Sequence, residues 1–187
     1  FWGYQQSRPL QDEIVASVAG GRDTLALLPT GGGKSICFQV PAMMNDGLCL
    51  VVTPLIALMK DQVENLNKRG IPAFAIYAGM QARDVEKVLA LAREGEIKFL
   101  YVSPERLQSR RFLWYCEVLP VKLIAVDEAH CISQWGYDFR PAYLQVASIR
   151  EQFPDAPVLA LTATATPKVK EDICAKLNLR NPAVFVK

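Results

Sequence analysis

The sequence has one histidine, His130, and five cysteines, none of which form a CxxC pair. A structural zinc site needs four clustered nitrogen or sulfur ligands, so no zinc is expected. The odd count and wide spacing of Cys37, Cys49, Cys116, Cys131 and Cys174 suit reduced thiols in a cytosol better than a secreted disulfide framework. No charge of one sign dominates either. The 21 basic and 19 acidic residues are well mixed and leave a net charge of +2. An excess that small does not by itself imply a nucleic-acid partner. Long apolar runs are missing as well, because the longest, at 48–59, is too short for a bilayer and contains Pro54. The chain opens Phe1-Trp2-Gly3-Tyr4, without a secretory pattern. It therefore reads as cytoplasmic, with no membrane partner.

What is present is a core. Apolar residues make up 51% of the 187, enough to fold 1–187 as a single domain. Short apolar runs at 24–28, 48–53, 73–77, 97–102, 121–126 and 157–161 do not alternate with polar residues, as expected for strands covered on both faces. Helical patterns at 34–44, 55–69, 82–94 and 142–152 lie between them, and a last helix is expected from Pro167. This alternation predicts an α/β fold, a mostly parallel sheet with helices on both faces. Ligands of such sheets sit beyond the carboxyl ends of the strands, so polar motifs should follow strands.

The first motif does. The run at 24–28 leads into Pro29-Thr30-Gly31-Gly32-Gly33-Lys34-Ser35 and then a helix, the strand–loop–helix context of a phosphate loop. Glycines let backbone N–H groups approach phosphate oxygens, and the helix N-terminus adds partial positive charge. Lys34 is expected on the β- and γ-phosphates and the Ser35 hydroxyl on Mg²⁺. Leu28 stands where the strict pattern has its first glycine.

The second motif is acidic. The run at 121–126 ends in Asp127-Glu128-Ala129-His130. Adjacent carboxylates at the end of a buried strand need a cation or hydrogen bonds. Asp127 suits a Mg²⁺ ligand, and Glu128 suits the base that activates water. With Lys34, these form the expected catalytic set, on a strand expected to neighbour that of the phosphate loop. His130 is expected to couple this site to later motifs without a chemical step. A phosphate loop and an acidic strand end together imply Mg²⁺-dependent NTP hydrolysis.

The wider string resembles superfamily 2 helicases of the DEAH-box type. Val51-Val52-Thr53-Pro54-Leu55-Ile56-Ala57-Leu58-Met59-Lys60-Asp61-Gln62 resembles motif Ia, and Tyr101-Val102-Ser103-Pro104-Glu105-Arg106-Leu107 resembles motif Ib. Ala160-Leu161-Thr162-Ala163-Thr164-Ala165-Thr166 is similar to motif III, which links hydrolysis to domain movement. Thr53 and Ser103 suit sequence-blind phosphate contacts.

Two segments narrow the resemblance to the RecQ family. Gly3-Tyr4-Gln5-Gln6-Ser7-Arg8-Pro9-Leu10-Gln11 resembles motif 0, with Ser7 and Leu10 at its usual phenylalanine and glycine. The resemblance places Tyr4 and Gln11 on adenine and Arg8 near the base and phosphates. Cys131-Ile132-Ser133-Gln134-Trp135-Gly136-Tyr137-Asp138-Phe139-Arg140-Pro141 resembles the aromatic-rich loop, with Tyr137 where histidine is common. Flat rings stack on bases of any sequence, and arginine adds cation–π and phosphate attraction. Gln134, Trp135, Phe139, Arg140, His130, Thr162 and Thr164 are thereby implied in DNA sensing and coupling.

The resemblance implies the RecA-like, P-loop ATP-binding domain of an ATP-dependent 3′–5′ DNA helicase. It implies ATP and Mg²⁺ as cofactors and single-stranded DNA and duplex junctions as partners, in a bacterial-type cytosol or nucleoid. It also implies a second RecA-like domain, so that 1–187 is half of a motor and nearly inactive alone. Alternatives are an RNA helicase domain of the same superfamily, a non-catalytic nucleic-acid-binding module, and a P-loop metabolic kinase. The last leaves the aromatic loop unexplained.

Overall fold

Valine, leucine and isoleucine runs without polar alternation become one parallel sheet in the computed structural model, which describes residues 9–29 and 33–187. The strands are β1 (Thr24–Leu27), β2 (Leu48–Val52), β3 (Ala73–Ile76), β4 (Phe99–Val102), β5 (Val121–Val126), β6 (Val158–Thr162) and β7 (Ala183–Val186). Their order is β3-β4-β2-β5-β6-β1-β7, and the pairings among the described residues are all parallel. Parallel neighbours need crossovers, and helices supply them. They are α1 (Pro9–Ala19), α2 (Ile36–Met43), α3 (Ile56–Lys68), α4 (Ala82–Arg93), α5 (Arg110–Tyr115), α6 (Gln145–Arg150) and α7 (Pro167–Lys176).

The strand period of two splits the core into two layers. Leu48, Leu50 and Val52 of β2 pack with Val85, Phe112, Val146 and Ile173, under α4 to α7. Cys49 and Val51 of the same strand pack with Ile14, Phe38, Met59 and Leu66, under α1 to α3. Helices therefore cover both faces, as expected. Cys37, Cys49, Cys116 and Cys131 are buried and Cys174 partly so, all as free thiols. Burial pushes the Cys37 thiol up to about 11 and those of Cys116 and Cys131 to about 12, so they pack as small apolar groups. Among the described residues no helix is long and apolar enough to cross a membrane.

Three expectations need correction. The strands of the phosphate loop and the acidic pair are not neighbours, because β6 lies between β5 and β1. The helix expected at 142–152 is a 3-10 turn, Pro141–Leu144, followed by the short α6, because Pro141 starts the tighter turn. The strand expected from Ile97 begins at Phe99, because Pro72 accepts the N–H of Lys98 ahead of the paired register.

Candidate active site

The carboxyl ends of β1, β6, β5, β2 and β4 form one rim, and the expected motifs follow these strands. Leu28 extends β1 by donating its N–H to the Thr162 carbonyl (3.0 Å), and its side chain is buried. That explains a leucine at the first loop position, where the backbone is still strand-like. Thr30, Gly31 and Gly32 lie outside the described residues, as do Tyr4 and Arg8. Pro29 is exposed at the loop's start. Gly33 has φ +75°, and a Cβ there would stand 2.3 Å from Nε2 of Gln11. Glycine suits the positive dihedral, and a larger residue would also push the Gln11 amide aside. Gln11, from α1, donates to the Gly33 carbonyl (3.2 Å), which ties the segment read as motif 0 to the phosphate loop.

Lys34 and Ser35 stand between this loop and α2. The Lys34 ammonium lies 3.7 Å from Asp127 Oδ1 and 3.9 Å from Glu128 Oε1, although β6 separates their strands. Asp127 prolongs β5 through its N–H to the Val52 carbonyl (2.9 Å), and its Oδ1 accepts the N–H of Glu128 (2.9 Å). Burial raises the Asp127 carboxyl above the usual range, and Lys34 works against that rise. Glu128 has φ +52° and ψ +44°, a left-handed conformation unfavourable by roughly 1–2 kcal/mol for a non-glycine residue. It turns the chain sharply from β5 into the 3-10 turn Ala129–Ile132 and leaves its carboxylate at the rim.

His130 is buried beside it. Nδ1 is 2.9 Å from Thr162 Oγ1, and that hydroxyl donates to the Thr164 carbonyl (3.0 Å). A hydroxyl has one proton, so Thr162 must accept from Nδ1–H. In the neutral ring this leaves Nε2 bare and facing Glu128 Oε2 at 3.6 Å. Burial holds the His130 pKa below its ordinary value, while Glu128 pulls it up. One chain of contacts thus runs from Glu128 through His130 to Thr162 and Thr164.

The aromatic loop folds back over this chain. Arg140 N–H donates to the Cys131 carbonyl (2.8 Å), and Ser133 Oγ donates to Asp172 of α7 (2.7 Å) while accepting Trp135 N–H (3.1 Å). Trp135 is 69% exposed, so it is no core anchor, and Gln134 is exposed beside it. Phe139 is half-buried, and Arg140 is held by Asp138 (3.2 Å) and by Glu105 (3.6 Å) of the motif Ib turn.

Thr53 and Ser103 stand at the ends of β2 and β4. Both are buried, and their hydroxyls accept the backbone N–H groups of Leu55 (3.4 Å) and Ala78 (3.2 Å). They satisfy turns at strand ends, where those N–H groups would otherwise be orphaned. Sequence reasoning also missed two tyrosines. Tyr143 is buried and its hydroxyl donates to the Asp127 carbonyl (2.9 Å). The Tyr137 ring stacks on His130 with centroids 4.5 Å apart and planes at 22°. Nothing in the sequence signals Tyr143, whereas Tyr137 lay within a loop already singled out.

Comparison with known proteins agrees with this geometry. The chain is 46% identical over 180 residues to "ATP-dependent DNA helicase RecQ" of Haemophilus influenzae, covering 96% of this chain and 29% of that protein. The protein of the same name from Bacillus subtilis is 46% identical over 182 residues, covering 96% and 31%. The chain thus spans less than a third of the length of each of these two relatives. Among solved structures, the Pyrococcus furiosus Hef helicase domain superposes with a TM-score of 0.74 at 23% identity, over 97% of this chain and 39% of that one. This likeness supports the RecA-like fold. Residues 8–173 match the DEAD/DEAH box helicase family, and the chain belongs to that family.

Proposed function

We propose that the chain is the ATP-hydrolysing RecA-like domain of a RecQ-type DNA helicase, a single domain that works against a second RecA-like domain. The observation that carries this reading is the Lys34 ammonium within 4 Å of both Asp127 and Glu128 at the sheet rim. A cation held there by two carboxylates is poised to exchange them for phosphate oxygens. Lys34 then binds the β- and γ-phosphates, and the 29–33 loop wraps them with backbone N–H groups. Gln11 holds the loop's last glycine, and with Tyr4 and Arg8 it recognises adenine.

The donor set suits Mg²⁺. Ser35 and Asp127 offer hard oxygens, and a cation there would offset the burial that raises the Asp127 carboxyl. Among the described residues no three acidic, histidine or cysteine side chains cluster to hold a metal, so phosphates and water would complete the shell. Bound there, Mg²⁺ would supply charge neutralisation at the β- and γ-oxygens. Glu128 orients and deprotonates the attacking water, and His130 beside it couples the site to the later motifs without a chemical step.

Thr162 and Thr164 relay changes at His130 into the segment after β6. Single-stranded DNA and duplex junctions are the partners we assign, through Trp135, Phe139, Arg140 and Gln134, with translocation 3′–5′. DNA is favoured over RNA because the relatives at 46% identity are named DNA helicases. The free, mostly buried thiols suit a cytosolic or nucleoid setting.

The test is phosphate release by the full-length protein with and without poly(dT). Lys34→Ala should abolish hydrolysis with the fold intact by circular dichroism. Glu128→Gln should keep nucleotide binding and slow turnover by about 10²–10⁴. Unchanged hydrolysis in Lys34→Ala would sink the assignment. Stimulation by RNA alone would favour the RNA helicase alternative.

A further inference from the structure

The last residue of β5 in register with its neighbours is Val126, and the chain leaves the sheet through the peptide between Asp127 and Glu128. A peptide is a flat unit, and both polar ends of this one are held. The Glu128 N–H donates to Asp127 Oδ1 (2.9 Å), and the Asp127 carbonyl accepts the Tyr143 hydroxyl (2.9 Å). Pinning a plane at both ends fixes the dihedrals that flank it. The one that follows is the φ of +52° at Glu128. A non-glycine residue keeps such a conformation only where its surroundings impose it.

The two anchors differ in kind. Oδ1 also faces the Lys34 ammonium at 3.7 Å, and it belongs to the carboxylate assigned to Mg²⁺, so it has competing partners. Tyr143 comes from outside the segment and stands away from the rim chemistry. Its ring is fully buried in the apolar layer that holds Val126, Ala129 and Val146. The 3-10 turn Pro141–Leu144 sets its place. Tyr143 N–H donates to the Arg140 carbonyl (3.0 Å), and Arg140 N–H to the Cys131 carbonyl (2.8 Å). Packing alone would be met by phenylalanine, because a buried hydroxyl loses its water and needs a partner. The partner here is the backbone carbonyl next to the candidate base.

We propose that Tyr143 is a positioning residue for ATP hydrolysis, its hydroxyl locking the Asp127–Glu128 peptide and so aiming the Glu128 carboxylate at the attacking water. The proposal rests on the ATPase reading above. Tyr143 acts through the backbone and touches no reacting atom. Without the hydroxyl the peptide can turn, and a misplacement of about 1 Å can lower a rate about 10²-fold. Lys34 and the loop at 29–33 follow β1, two strands away from β5, so phosphate binding is left intact. The signature is a lower kcat at unchanged nucleotide affinity.

The test uses the full-length protein with saturating poly(dT), well below each variant's melting temperature. Tyr143→Phe removes the oxygen and keeps the ring. Its kcat should fall about tenfold or more, while equilibrium affinity for a fluorescent ATP analogue stays within about twofold. Replacing Tyr143 by para-aminophenylalanine returns an N–H donor to the same place and should recover most of the lost turnover. Single-turnover rates of Glu128→Gln, alone and combined with Tyr143→Phe, should agree within about twofold, since residues that act as a unit do not add. An unchanged kcat in Tyr143→Phe, even with a lowered melting temperature, overturns the role and leaves Tyr143 a packing residue. Loss of analogue binding alongside kcat, no recovery with the amino side chain, or additive losses in the double variant overturn it equally. A wild-type protein that hydrolyses no ATP overturns the ATPase reading itself, an outcome separable from the others.

Discussion

His130 sits where the phosphate chemistry and the aromatic loop meet, and its protonation carries a cost that can be measured. It is the only histidine, so no other side chain of the chain has its ordinary pKa near 6.5. Burial depresses its pKa in the folded state. The unfolded chain therefore takes up a proton from about pH 6.5 downward before the folded chain does. Stability is fully present above that pH and falls as pH drops through the window toward the depressed value. Asp127, raised by burial, contributes with the opposite sign from the ordinary carboxylate range upward. Comparing urea midpoints of wild type and His130→Gln between pH 7.5 and 5 isolates the histidine. The wild type should lose more stability than the variant, and equal slopes would refute the assignment. At this scale the positions were largely legible, because Asp127 and Glu128 follow one strand, and Lys34 and Ser35 the loop after another, both recognisable from apolar runs. The partners were not. That Thr162 takes the proton of Nδ1, or that Tyr143 bonds the Asp127 carbonyl, depends on where β6 and the turn at Pro141 lie in space.

At the level of elements, the opposite end of the sheet is fastened by one buried ion pair. Asp23, just before β1, takes Arg150 of α6 in a two-pronged bond (2.7 and 3.2 Å), and both are almost fully buried. Asp23 also accepts the N–H groups of Val158 (2.9 Å) and Arg180 (2.7 Å), while Arg150 donates to the Asn178 carbonyl (3.0 Å). One carboxylate thus joins the starts of β1 and β6 to α6 and to the segment after α7. Arg150→Ala leaves that carboxylate buried and unpaired, and should cost about 3–5 kcal/mol. Arg150→Lys should rescue little, because an ammonium cannot make the forked bond. Urea denaturation of the folded chain checks this, and a loss under about 1 kcal/mol would show the pair to be replaceable. Neither member stood out in the sequence, where each reads as a surface charge. β7 escaped for a related reason. It is an edge strand of four residues with Val184 and Val186 exposed, too short and too open to form a buried apolar run. α1 was hidden because the segment leading into it, ending at Gln11, was read for its resemblance to motif 0. By contrast, α3 and α4 fell within a residue or two of expectation, because their apolar residues recur at helical spacing.

For the molecule as a whole, strand–helix alternation foretold a parallel sheet covered on both faces, but not the order of its strands. Placing β6 between β5 and β1 is a matter of which crossover the chain takes, and single-sequence periodicity carries no information on that. The order matters for function. β6 brings Thr162 between the phosphate loop and the acidic pair, so His130, 3.6 Å from Glu128, is hydrogen-bonded to the segment after β6. The resulting site lies along one rim. Among the described residues, the basic groups within 4 Å of the Asp127 and Glu128 carboxylates are Lys34 and His130, and burial disfavours the charged form of His130. Phosphoryl transfer to water builds negative charge on the γ-phosphate that one lysine does not neutralise. Related enzymes add an arginine finger worth about 10³–10⁵ in rate. We assign that role to the second RecA-like domain, so a polypeptide of residues 1–187 should bind nucleotide weakly, hydrolyse it very slowly and displace no strand. Steady-state ATPase and strand-displacement assays on that polypeptide, beside the full-length protein, decide the point. Comparable turnover from both would mean that residues 1–187 hold every charge the reaction needs, and that Lys34 carries more of the transition state than its geometry suggests.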